Sequence, residues 1–215
     1  YQELLRIQER RAELETDPEV RRKLAYDRAS LLENELKNPE AAIESYREIL
    51  QTFGPDEVNA YAALERIYQR IERWDDLARL LEQRIDTEFD DAQLADLKTR
   101  LAVVSDKHLR DGRRAIEIYR EVLTLVPGHD GAREALEGML QEGRHAQDAA
   151  QVLEPVYEAR GDWSALVNAL NVQRSEAEDV HTRLDLVNRI AQIYTVQLGD
   201  SRKAFDTYLR ALQDA

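Results

Sequence analysis

Apolar residues recur at helical spacing along almost the whole chain, with polar residues filling the positions between them. Ala42, Ile43, Tyr46, Ile49 and Leu50 form one such stripe, and Ala60, Leu64, Ile67 and Tyr68 form another. A period near 3.6 residues predicts helices rather than strands. Stop and start signals separate the stripes: Asp17-Pro18, Asn38-Pro39, Gly54-Pro55-Asp56, Pro127-Gly128 and Gly161-Asp162. A short acceptor side chain caps the free N–H groups of a helix start, and proline fits its first turn. The pattern predicts about twelve helices, over 1–15, 17–36, 39–53, 55–71, 74–87, 90–109, 111–126, 130–141, 146–160, 163–175, 179–198 and 201–212. Pro155 falls inside the ninth. It should kink or break that helix near Glu154, because it removes a backbone donor and crowds the preceding turn.

The stripes also repeat in register. Ala29, Ala102 and Ala191 stand thirteen residues before Ala42, Ala115 and Ala204, and each of these stands four before Tyr46, Tyr119 and Tyr208. Paired alanines let two helices approach closely, and a tyrosine one turn on fills the space beside the contact. Tyr119 is therefore expected in the core beside Ala102 and Ala115. Asn38, Asp111 and Asp200 follow equivalent turns and read as N-caps. Tyr1, Trp74 and Trp163 form a further column, 28 residues before the first alanines, which favours packing between helices over exposed binding.

The first two copies lie 73 residues apart and the last two 89, so sixteen residues, about one helix, enter before the third. We expect a regular array over 1–145 (units 1–73 and 74–145), an extra junction helix over 146–162, and a third, shortened unit over 163–215. One added helix would reverse every helix after it, so the third copy would not continue the surface of the first two. If Pro155 instead splits 146–160 into two helices, the even count is restored.

The small residue, the aromatic one turn on and the proline closing the hairpin resemble the tetratricopeptide repeat family, and Ala115, Tyr119 and Pro127 match its second helix. The resemblance covers nearly the whole chain if each four-helix unit is two such repeats. Ala29, Ala102 and Ala191 stand where glycine is commoner, and Glu65 and Glu137 where a small residue belongs, so half-repeat and other α-solenoids stay open. The resemblance implies an all-α, right-handed α-solenoid of antiparallel hairpins, within a larger repeat protein of bacterial type. It also implies a non-catalytic scaffold that binds a peptide or protein on its concave face, lined by the first helix of each hairpin. By register that face carries Lys23, Tyr26 and Ser30, then Thr99 and Asp106, then Asn188, Gln192 and Thr195; the intervening hairpins add Asn59, Arg66 and Gln69. The repeated lysine and asparagine clamp with which some members grip a peptide's terminal carboxylate is not reproduced.

Composition narrows the alternatives. The 215 residues are 43% hydrophobic and 34% charged, with a net charge of −13. That balance disfavours nucleic acid or an anionic membrane as partner. No apolar run approaches the roughly 18 residues of a membrane span. The chain opens at Tyr1 within a helical pattern and without methionine, so we expect a piece of a longer protein. Without cysteine there is no disulfide or thiolate metal site; cytoplasm is preferred to periplasm. His108, His129, His145 and His181 are scattered and lack a second ligand at i+4, so no metal site is expected. Asp75-Asp76 and Asp90-Asp91 fall at helix starts, where acids favour the dipole, and read as caps rather than an acid–base pair. No phosphate loop or nucleophile motif occurs, so neither a catalytic residue nor a cofactor is expected. An interaction scaffold ranks first, a structural spacer or self-association module second and an enzyme last.

Overall fold

A computed structural model describes residues 1–213, which form helices joined by short turns, in two compact units. The first unit, Tyr1–Phe89, contains α1 (Gln2–Leu14), α2 (Pro18–Asn34), α3 (Pro39–Phe53), α4 (Val58–Arg70) and α5 (Trp74–Ile85). Its caps are those the sequence signals: Asp17 accepts from the Glu19 N–H at 2.9 Å and Asn38 from the Ala41 N–H at 3.2 Å. Ala29 and Ala42 are fully buried, with Tyr46 buried beside them. One boundary differs by more than two residues. α4 begins at Val58 rather than Pro55, because the chain leaves α3 through Gly54 at φ +103 and Glu57 takes the N-cap position. Glu57 is held there by the Tyr26 hydroxyl, donating at 3.0 Å, and by Arg22 Nε at 3.0 Å.

The second unit runs from Asp90 through the remaining described residues. It contains α6 (Asp91–Lys107), α7 (Gly112–Leu125), α8 (Asp130–Gln141), α9 (Ala146–Arg160), α10 (Trp163–Glu176), α11 (Val180–Gln192) and α12 (Ser201–Gln213). Ala102 and Ala115 are fully buried and Tyr119 is 2% exposed, which places that tyrosine in the core as its register demands. His129 caps α8, its Nδ1 accepting from the Ala132 N–H at 3.1 Å while Nε2 lies 3.2 Å from Asp96 Oδ1. The long helix expected to reach Leu198 changes to a π-helical turn over Ile193–Gln197. There Thr195 Oγ1 donates at 2.8 Å to the Ala191 carbonyl, the acceptor that an α-helical Thr195 N–H would use.

The three copies share one turn down to its hydrogen bonds. The N–H groups of Leu36, Leu109 and Leu198 reach back five residues, to the carbonyls of Leu31, Val104 and Ile193, and those of Asn38, Asp111 and Asp200 reach back six. The residue between is left-handed in each: Lys37, Arg110 and Gly199 have φ of 51, 57 and 65°. Only the third copy puts glycine where that conformation carries no Cβ penalty.

Pro155 does not divide α9, which runs unbroken from Ala146 to Arg160. Pro155 and Gln151 are both exposed, so the carbonyl deprived of its donor lies on the solvent side of the helix. α9 packs against α8 on one side and α10 on the other. Its sequence fits both neighbours. Ala149, Ala150, Val152 and Leu153 repeat Leu77, Ala78, Leu80 and Leu81 of α5, while Ala149, Leu153 and Tyr157 repeat Ala60, Leu64 and Tyr68 of α4, 89 residues earlier. A contact repeats with them: Arg84 pairs with Glu65 at 3.4 Å, and Gln173, 89 residues after Arg84, donates to Glu154 at 2.7 Å. One helix thus serves as the second member of one pair and the first of the next.

Candidate functional site

In the first unit, α2 and α4 meet through a buried acid and half-exposed arginines. The Glu33 side chain is 1% exposed, and a carboxylate so placed is costly unless neutralised. Arg66 supplies two hydrogen bonds at 3.2 and 2.8 Å, Arg70 a third at 3.3 Å, and the Tyr46 hydroxyl a fourth at 3.3 Å. Both arginines remain about half exposed, so their unused N–H groups face solvent from a fixed position. On the same two helices Lys23, Ser30, Asn59 and Gln69 are exposed. Ser30 accepts from Asn34 at 3.1 Å. Tyr26 is half-buried; burial first, then its bond to Glu57, push its phenol up to about 12.

The second unit repeats the acid in the same register, 73 residues on. The Asp106 side chain is 5% exposed and pairs with Arg144 at 2.6 Å and Lys107 at 3.2 Å. Burial alone would raise its carboxyl, but the hydrogen bonds and charges of Arg144 and Lys107 outweigh that and hold it below the usual aspartate range. Tyr119 beside it is pushed up to about 12 by burial and then by the Asp106 charge. Asp106 is therefore occupied within the fold. Thr99, two turns away on α6, spends its hydroxyl on the Ala95 carbonyl at 2.8 Å. It edges a cavity of about 580 Å³ with Asp96, Arg100, His129, Asp130 and Gly131. Asn188, Gln192 and Thr195 share one exposed face of α11 and its π-helical continuation. Trp74 and Trp163 are half-buried, whereas Tyr1 is 69% exposed.

Sequence reasoning missed Glu33, Arg70 and Arg144. The signal for the acid was present: Glu33 and Asp106 occupy one register position in two copies. Nothing along the chain pairs them with their arginines. Among the described residues no group of three or more potential metal ligands comes together, and no helix is long and apolar enough to cross a membrane.

Residues 60–95 match the family model of the tetratricopeptide repeat, a span covering α4 from Ala60 onward, α5 and the first turn of α6. No curated protein matches the sequence. Among solved structures, BtubC (BKLC) from P. vanneervenii is similar at 21% identity over 97% of this chain and 85% of its own, with a TM-score of 0.36. MamA protein is similar at 16% identity over 89% of this chain and 90% of its own, with a TM-score of 0.37. Tetratricopeptide repeats are in general non-catalytic modules of protein–protein interaction. Residues 60–95 are thus similar to a tetratricopeptide repeat, and the described residues form an all-α helical repeat protein.

Proposed function

We propose that this chain is a non-catalytic scaffold that binds a peptide or protein through exposed polar residues on the first helices of its hairpins. One observation carries the reading: Glu33 holds Arg66 and Arg70 in place while leaving both half exposed, and Lys23 on α2 and Asn59 and Gln69 on α4 are exposed as well. Fixing a cation beforehand lowers the entropy lost when a ligand binds. In the second unit the same role falls to Thr99 and to the α11 face with Asn188, Gln192 and Thr195, while Asp106 positions its helix through Arg144. Selection of a displayed random-peptide library on the chain tests this. Enriched peptides should bind the wild type and lose at least about tenfold in affinity, ~1.4 kcal/mol, on Lys23→Glu/Arg66→Glu. If nothing enriches, or enriched peptides bind that variant equally, the spacer reading replaces it.

We further infer that α9 is a junction between a regular array ending at 145 and a third unit beginning at 163, with α11 running opposite to α6. An unbroken α9 supports this, because a single added helix changes the parity of an antiparallel series. Deleting residues 146–161 restores the 73-residue period, and the shortened chain should still unfold in one cooperative transition. A molten or aggregated product would show that α9 is integral to the array.

A further inference from the structure

α9 departs from the helix it repeats along one stripe. Val152, Pro155, Val156 and Ala159 are apolar at i, i+3, i+4 and i+7, whereas Leu80 of α5, 72 residues earlier, is followed at the same spacing by Gln83, Arg84 and Thr87. Such an exchange suits a face that binds rather than one left in water. The stripe lines a groove of about 590 Å³ between α9 and α7, a volume typical of ligand clefts. Leu123, Val152 and Val156 form its floor, and the exposed Pro127 and Pro155 its walls. Neither proline has an N–H, so those walls offer hydrocarbon without a donor. Pro155 also leaves the Gln151 carbonyl, on the same rim, without its helical donor. Both helices already have neighbours, α6 and α8 for α7 and α8 and α10 for α9, so the groove belongs to the interior of the helix series and not to its end.

The charged residues lining the groove are two arginines and no acid. Arg120 and Arg160 are each about half exposed, and their carboxylate partners, Glu117 at 2.7 Å and Asp130 at 3.7 Å, are themselves exposed and compete with water. The groove thus fits an apolar side chain set among carboxylates. One exposed segment of this chain has that chemistry. In the turn between α5 and α6, Phe89 is 93% exposed and lies within Asp86-Thr87-Glu88-Phe89-Asp90-Asp91, a run with four acids and no base. The turn is fixed from both sides: Thr87 Oγ1 donates to the Arg84 carbonyl at 3.1 Å, the Phe89 N–H donates to Glu88 Oε1 at 2.9 Å, and Asp90 caps α6 by accepting from the Gln93 N–H at 2.9 Å. A ring held out by a preformed turn loses little entropy when it is covered.

We propose that the groove between α7 and α9 of one copy receives the Phe89 turn of a second copy of this chain. Phe89 enters between Pro127 and Pro155, while Asp86 and Asp91, both exposed, reach Arg120 and Arg160. The contact is heterologous, a turn on one copy and a groove on the next, so each addition leaves a free turn and a free groove, and copies join into rings or open chains. It is independent of the residues around Lys23 and Arg66, so either reading stands if the other fails. Sedimentation velocity on the full chain, from micromolar to millimolar, should show species that grow with concentration. Phe89→Ser removes the ring, and Ala159→Glu fills the groove with bulk and negative charge; both positions are exposed. Each variant alone should weaken association at least about tenfold with an unchanged melting curve. An equimolar mixture of the two should form dimers and nothing larger, because only the intact turn of the Ala159→Glu variant can enter the intact groove of the Phe89→Ser variant. A wild type that stays monomeric at every concentration overturns the proposal and leaves the groove to a foreign ligand. Association that survives either substitution, or a mixture no larger than its components, overturns it as well.

Discussion

Glu33 and Asp106 hold one register position in two copies of the same hairpin, beside the same core tyrosine, yet they are neutralised differently. Glu33 is met by two arginines of the covering helix α4. Asp106, one methylene shorter, is reached by Lys107 on its own helix and by Arg144 in the turn after α8. The repeat therefore fixes where a buried negative charge sits and leaves its counter-charge to whichever element comes within reach. The third copy has the uncharged Thr195 at that position, its hydroxyl donating to the Ala191 carbonyl at 2.8 Å.

The largest expected effect separates the buried Tyr119 from the exposed Tyr208. Tyr119→Ala should cost about 3–5 kcal/mol, as aromatic truncations in cores do, whereas the exposed Tyr208→Ala should cost less than about 1 kcal/mol; chemical denaturation measures both. Equal costs would mean that burial does not distinguish the copies. Next is the loss of counter-charge at Glu33. Arg66→Ala/Arg70→Ala should cost about 2–3 kcal/mol, at or just below the range for a stranded buried charge because solvent already screens these arginines. Adding Glu33→Gln to that variant should recover most of the loss, and failure to do so would show that packing rather than charge is responsible.

The Asp106 pair predicts a pH dependence. Its carboxyl lies below the ordinary value in the folded state, so its stabilisation is complete above the unfolded aspartate range and is lost as pH falls through the folded value. Stability followed from about pH 4 to about pH 2 should drop less steeply in Asp106→Asn than in the wild type. A parallel drop would remove Asp106 from the account. The smallest effect is expected at the α8 cap, where His129→Ala should cost about 1 kcal/mol and His129→Asn should restore most of it. Indifference to both would show that the ring's hydrogen bond to Ala132 contributes nothing.

The helix count, the caps at Asp17, Asn38, Asp90, Asp111 and Asp200, and the burial of Ala102, Ala115 and Tyr119 were legible in the sequence. Each depends on residues within about one turn, or on a periodicity that repeats along the chain. His129 escaped because an imidazole caps only when its tautomer presents an acceptor, and composition does not reveal that. The tertiary structure decided the rest. α4 starts at Val58 because Tyr26 and Arg22, more than thirty residues away, hold Glu57. α9 accommodates Pro155 because that residue faces solvent. Glu33 finds Arg66 and Arg70 only when α2 and α4 lie side by side. Local hydrogen bonding and hydrophobic period are written along the chain, whereas the partner of a buried charge is set by distances through space, which a register position indicates but does not measure.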